Sequence, residues 1–180
     1  AIPKKTKEKK KKFKKKKKNF RLYEKKLVKR FDAKIESYFF SDPKVVGWDT
    51  KKNQNLRFSR ALKYLNLKNK KILDVGCGAG DFLNFCKKNK ILLKYTGIDI
   101  NDKFIFYLKN KFKKNRFVNL SFLNMTAKKK YDHILFFGIF NLKMKAKSNY
   151  QYLFNHIDKA IRIAKSSVYL DFIVSSGNFK

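Results

Sequence analysis

The sequence predicts an α/β fold, a doubly wound, mostly parallel sheet with helices on both faces, from three observations. Lys71-Ile-Leu-Asp-Val75 is a strand-like run that passes straight into Gly-Cys-Gly-Ala-Gly80, and Asp81 to Lys88 then takes up helical spacing. Lys94-Tyr-Thr-Gly-Ile-Asp-Ile100 repeats the strand pattern one helix later and ends in an acidic residue. Tyr131-Asp-His-Ile-Leu-Phe-Phe-Gly138 is a further clear strand, and strands that alternate with helices imply parallel pairing.

The other elements follow in chain order. Residues 4–18 are almost pure lysine, broken by Thr6, Glu8 and Phe13, and like-charge repulsion predicts disorder. We therefore divide the chain into a lysine-rich tail, 1–30, and a domain, 31–180, whose N-terminal helices run to about 67 and whose core begins near 68. Phe20 to Phe40 mixes apolar and basic positions and predicts a helix or two before Pro43. Gln54 to Leu67 reads as a helix with Leu56, Ala61, Leu62 and Leu65 near one face. Phe104, Ile105, Leu108 and Phe112 form a helical stripe after the second strand, and a third strand is expected at Leu120 to Asn124. Tyr150, Leu153, Phe154, Ile157, Ile161 and Ala164 make the most regular periodicity, a helix expected to pack on the sheet. A fifth strand follows at Ser167 to Val174.

Composition bounds the partners. With 180 residues the chain is long enough for a substantial core, and its 19 phenylalanines make that core aromatic. Only 13 acids oppose 47 bases, and the net charge of +34 implies attraction to polyanions such as nucleic acid. Two readings of the tail stand: a solvated segment, or an electrostatic arm that concentrates a nucleic acid substrate. No secretory h-region or membrane-length apolar run is present, which leads us to expect a cytoplasmic protein. Cys77 and Cys86 have no metal spacing, and with only His133 and His156 no zinc site can be assembled; both cysteines are expected to be reduced packing residues and both histidines structural.

The glycine turn separates ligand classes. Dinucleotide sites use G-x-G-x-x-G to set a helix N-terminus against a pyrophosphate. Here Asp74, Gly76, Gly78 and Gly80 form D-x-G-x-G-x-G. That spacing resembles the first motif of class I, Rossmann-like, S-adenosylmethionine-dependent methyltransferases. Gly47-Trp48, Gln54, Arg57-Phe58 and Gly138-Ile-Phe-Asn141 extend the likeness, over roughly residues 45–174, to small bacterial methyltransferases of mostly unassigned substrate. The resemblance implies S-adenosylmethionine as cofactor. Its contacts would be Asp74, Gly76, Cys77, Gly78 and Gly80 in the turn, Asp99 on the ribose hydroxyls with Ile100 beside it, Asn124 and Met125 at the adenine, and Phe137 and Gly138 under the methionine moiety. Read from the residues alone, an acid after a strand also serves as a helix cap, a role open to Asn101 and Asp102 too. Arg57 would pair with the cofactor carboxylate, or else lie on the surface as a solvated cation.

Class I folds usually add two strands after the fifth, and this sequence holds no room for them. Either the chain is a fragment or its sheet is shortened, and a shortened sheet would leave the fifth strand as an edge, inviting a homodimer or poor solubility. No side chain stands out as catalytic base, and alignment of the acceptor with the methyl group supplies most of what such a protein contributes. Gly138-Ile-Phe-Asn141 replaces the Asn/Asp-Pro-Pro-Tyr signature of enzymes acting on exocyclic base amines. A small-molecule acceptor is the leading expectation, with RNA methylation assisted by the tail, or a non-catalytic nucleic-acid-binding module, as alternatives.

Overall fold

The structure, a computed structural model, describes the backbone of residues 4–126, 130–141 and 147–171, and side chains of 19–126, 130–141 and 149–171. Five strands, β1 (Lys71–Val75), β2 (Lys94–Asp99), β3 (Arg116–Asn119), β4 (Tyr131–Phe137) and β5 (Ala164–Asp171), form one sheet in the order β3-β2-β1-β4-β5. Every pairing is parallel. Helices α1 (Lys4–Ser37) and α2 (Lys51–Tyr64) precede the sheet, while α3 (Asp81–Lys88), α4 (Asp102–Lys111) and α5 (Lys147–Ile163) lie between strands. Short 3-10 turns occupy Pro43–Val46 and Phe122–Asn124.

Alternation along the strands divides the core between the two faces of the sheet. Ile72, Tyr95, Leu135 and Phe137 pack with Phe58 of α2, Phe82 and Cys86 of α3 and Leu108 of α4. On the other face Leu73, Val75, Ile98, Ile134 and Phe136 meet Ala160 and Ile163 of α5. Strand order reverses beside β1, so the C-terminal ends of β1, β2 and β4 flank the crevice where doubly wound sheets bind ligands.

Several expectations are corrected. The third strand ends at Asn119, before the expected Leu120 to Asn124: the Leu120 N–H bonds the Asp99 carbonyl at 2.9 Å, and the chain then turns into the 3-10 segment. In α2 the buried side is Gln54, Phe58 and Ala61, and Leu56 faces outward, 50% exposed. In α5 the inward residues are Tyr152, His156, Ala160 and Ile163, whereas Tyr150, Phe154 and Ile161 of the expected core stripe are all more than half exposed. Both faces of α5 carry helical spacing, and counting only strongly apolar residues picks the outer one. Helix α1 already begins at Lys4, inside the lysine run expected to be disordered, and Phe20 within it is buried against Tyr152. Strand β5 starts at Ala164 rather than Ser167; Phe172 and Val174 lie outside the described residues.

Candidate cofactor cavity

The turn after β1 is built by backbone bonds. Gly76 and Cys77 both donate to the Ile98 carbonyl, at 2.8 and 3.1 Å, which draws the turn against the end of β2. Gly78 donates to Asp99 Oδ2 at 2.9 Å, and Asn101 donates to Asp99 Oδ1 at 2.9 Å. Asp99 is thus fixed by two amides while each oxygen keeps acceptor capacity. Burial raises its carboxyl above the ordinary value, with the backbone bonds from Asn101 and Gly78 opposing. Helix capping falls to Asn101, whose side chain accepts from Lys103 and Phe104 N–H groups. The two readings of the acid are thereby separated, since its neighbour does the capping.

Two glycines must be glycine. Gly76 (φ +72°) and Gly78 (φ +51°) are left-handed, and a Cβ would stand 2.4 Å from Ile139 Cγ2 and 2.6 Å from Val46 Cγ1. What approaches the turn most closely is the protein itself: Ile139 after β4 and Val46 of the first 3-10 segment close over it.

A partly open cavity of about 110 Å³ lies at this end of the sheet. Gly76, Gly78, Asp99, Ile100 and Gly138 line it, as the sequence implied. Glu24, Leu27 and Phe31 of α1 and Tyr152 and His156 of α5 complete it. Glu24, Ile100 and Leu120 also line a neighbouring open groove of about 1260 Å³, so the cavity borders that groove along these three residues. Helix α1 is tied across this end by Glu24, whose Oε1 accepts from Ser121 (2.6 Å) and Tyr152 (3.3 Å) hydroxyls, and by Asp32, which accepts from Asn101 Nδ2 at 3.0 Å.

Other residues implied by the resemblance lie elsewhere. Asp74, 2% exposed, is outside the cavity lining and accepts from the Tyr95 hydroxyl at 2.6 Å. Burial, then the charges of Asp99 and Asp81, push its carboxyl up to about 7 against that hydrogen bond. Cys77 is also buried outside the lining, and burial pushes its thiol well up. Gly80 packs under α4, a Cβ there meeting Leu108 at 2.5 Å. Asn124 and Met125 line the open groove. Arg57 is ion-paired with Asp171 at 2.5 Å and lies 5.3 Å over the Trp48 ring. That ring rests against Gly138, whose carbonyl accepts from Asn141 N–H at 3.2 Å. Gln54, buried in α2, donates to Asp81 at 3.0 Å and so braces the start of α3.

Sequence reasoning missed Glu24, assigned to the tail, and read His156 as structural without placing it at the cavity. His156 is 1% exposed and lies against Phe122, Phe136 and Phe140. Its Nδ1 is 2.8 Å from the Tyr152 carbonyl, so Nδ1 carries the hydrogen and Nε2 is a bare acceptor. Burial lowers its pKa to about 4 despite that bond, leaving the ring neutral. The signal available was its place one turn after Tyr152 and one before Ala160, on the inward side. His133, by contrast, lies in β4 with Nδ1 2.8 Å from Ser167 Oγ, a structural role as expected. Among the described residues no cluster of His, Cys, Asp or Glu suits a metal, and no helix is long and apolar enough to cross a membrane.

A strand-turn-helix with left-handed glycines, followed by an acid held at the end of the next parallel strand, is the layout of the class I methyltransferase fold. The chain belongs to the methyltransferase domain family, whose model matches residues 73–163. No curated protein matches it. Among solved structures it is similar to PH0226 of Pyrococcus horikoshii OT3, at 17% identity and a TM-score of 0.56 over 71% of this chain and 60% of that one. DesVI of Streptomyces venezuelae matches at 12% identity and TM-score 0.55, covering 72% of this chain and 55% of that one. The sugar N-methyltransferase KedS8 of Streptoalloteichus sp ATCC 53650 matches at 13% and 0.52, covering 70% and 50%. The chain therefore spans about half to three fifths of these proteins' lengths.

Proposed function

We propose that the chain is a methyltransferase that binds S-adenosylmethionine in the cavity at the C-terminal ends of β1, β2 and β4 and methylates a small molecule. The carrying observation is Asp99, fixed by Gly78 and Asn101 amides with its carboxylate among the cavity-lining residues. A carboxylate so held accepts from a pair of ribose hydroxyls, and Gly76, Gly78 and Gly138 offer backbone without side-chain bulk. Bound there, the cofactor supplies a methyl group on a sulfonium. The chain contributes alignment and a wall that excludes water, raised by α1 and α5. Calorimetry with S-adenosylhomocysteine tests this: binding is expected, and Asp99→Ala should weaken it by about tenfold or more. No binding at high micromolar concentration, with no effect of the substitution, would remove the proposal.

One observation favours RNA as the acceptor. At the opposite ends of the strands Lys71, Lys94, Arg116, Lys130 and Lys165 line a single groove. Register sets Lys71 beside Lys94 and Arg116 beside Thr96, placing these cations in a row across the sheet. On this second reading, RNA affinity falls steeply with salt and with charge reversal in the row, while salt-independent activity returns the acceptor to the small molecules.

A further inference from the structure

In a chain where bases outnumber acids by 47 to 13, the cavity runs the other way: among the described residues its only charged lining side chains are Glu24 and Asp99. Its remaining polar side chains are Tyr152 and His156. Tyr152 spends its hydroxyl hydrogen on Glu24 Oε1. His156 presents a bare Nε2, for which the described residues provide no partner. Glu24 Oε2 is in the same position, both recorded bonds falling on Oε1. Every side-chain polar atom left over for a ligand is therefore an acceptor, and the charge is negative. Phe31, Phe104, Phe122 and Phe137 line the same space, and aromatic faces attract cations.

Asp99 answers the cofactor under the function proposed above, and Glu24 and His156, on α1 and α5, remain without a task. Resting on that reading, we infer that the methyl acceptor is a small-molecule amine, held through its N–H groups by Glu24 and His156 Nε2. Inside the cavity an anionic acceptor would meet two carboxylates, since Lys25, Lys29, Lys159 and Arg162 line only the open groove beside it. A neutral alcohol would need a base to attack, and the His156 ring is a poor one, its pKa being lowered to about 4 chiefly by burial. An amine that has first given its ammonium proton to water needs none. Its lone pair forms the new C–N bond as the C–S bond breaks, the electron pair of that bond stays on sulfur as a thioether, and nitrogen becomes a methylated ammonium. That ammonium stays paired with the Glu24 carboxylate and gives its extra proton to water as the product leaves. Glu24 lines the open groove as well as the cavity, so the proton has a route to solvent.

The test is calorimetry of benzylamine, benzyl alcohol and benzoate into the full chain saturated with S-adenosylhomocysteine. Benzylamine should bind more tightly than the alcohol, and benzoate should not bind. Glu24→Gln keeps the oxygen that accepts from Ser121 and Tyr152 and should weaken benzylamine about tenfold without changing S-adenosylhomocysteine affinity. His156→Gln, checked for an unchanged melting curve, should weaken benzylamine likewise. Equal binding of amine and alcohol, or tighter binding of benzoate, overturns the inference while leaving the cofactor proposal standing. Equal loss of S-adenosylhomocysteine affinity in Glu24→Gln assigns that carboxylate to the cofactor and overturns it too. Failure of S-adenosylhomocysteine to bind the unaltered chain counts against the proposed function itself.

Discussion

Asp74→Asn separates a structural acid from a ligand. The carboxyl is 2% exposed, bonded to Tyr95 Oη at 2.6 Å, and raised by burial to about 7 from an ordinary 3.8. Between those values the unfolded chain has released this proton and the folded chain has kept it. Fewer protons on the unfolded state mean that folding stability falls as pH rises, by about 1.4 kcal/mol per pH unit. Across the window from about pH 4 to 7 that reaches roughly 4 kcal/mol, and the loss is complete above it. Asparagine keeps an oxygen for the Tyr95 hydroxyl and carries no titrating proton. Urea unfolding at pH 4.5 and pH 8 should show the variant gaining a few kcal/mol relative to the parent at the higher pH. S-adenosylhomocysteine affinity should change by less than about twofold, since Asp74 lies outside the cavity lining. Parallel loss of stability in both proteins on going to pH 8 would refute the buried-proton reasoning; loss of ligand affinity alone would restore Asp74 to the site.

Three further outcomes are expected. Gly78→Ala, at φ +51° with Val46 Cγ1 2.6 Å from the new carbon, should destabilise the fold by roughly 1–3 kcal/mol and weaken S-adenosylhomocysteine, read by thermal melting with and without ligand. Arg57→Met leaves Asp171 half-buried and unpaired and should cost roughly 3 kcal/mol, most of it recovered in the Arg57→Met, Asp171→Asn double variant by urea unfolding. Strand β5 is an edge of the described sheet, pairing only with β4, and light scattering should find a dimer that charge introduced at Val168 disrupts; a monomer at all concentrations removes the edge-pairing idea.

How far the sequence could be read depended on which interactions are local. The glycine turn, Asp99 and β4 were legible because they depend on neighbours one or two residues away, through φ angles and strand alternation. The adjoining helix stripe of Phe104, Ile105 and Leu108 was legible for the same reason and is buried as expected. Asp74 illustrates the limit. Its spacing matches the motif, yet its carboxylate points to Tyr95, a partner set by strand pairing. Arg57 reads as a free cation until β5 brings Asp171 to it, 114 residues later. The inward side of α5 was misjudged because His156 and Ala160 count little on a hydrophobicity scale, although the sheet and the cavity take that side. Glu24 was hidden among lysines, and only its bonds to Ser121 and Tyr152 distinguish it from the run around it.

The bond between Glu24 and Tyr152 spans 128 residues and joins the cavity's two flanking helices. On a ribosome, the glycine turn and Asp99 are finished long before Tyr152 leaves the exit tunnel, so the ligand cavity is among the last parts of the molecule to close. Ligand affinity is for that reason a gauge of whether α5 has docked on the sheet. A chain clipped between α1 and α2 that released its first helix would lose the acidic wall that helix supplies, together with the helical circular dichroism of its 34 residues.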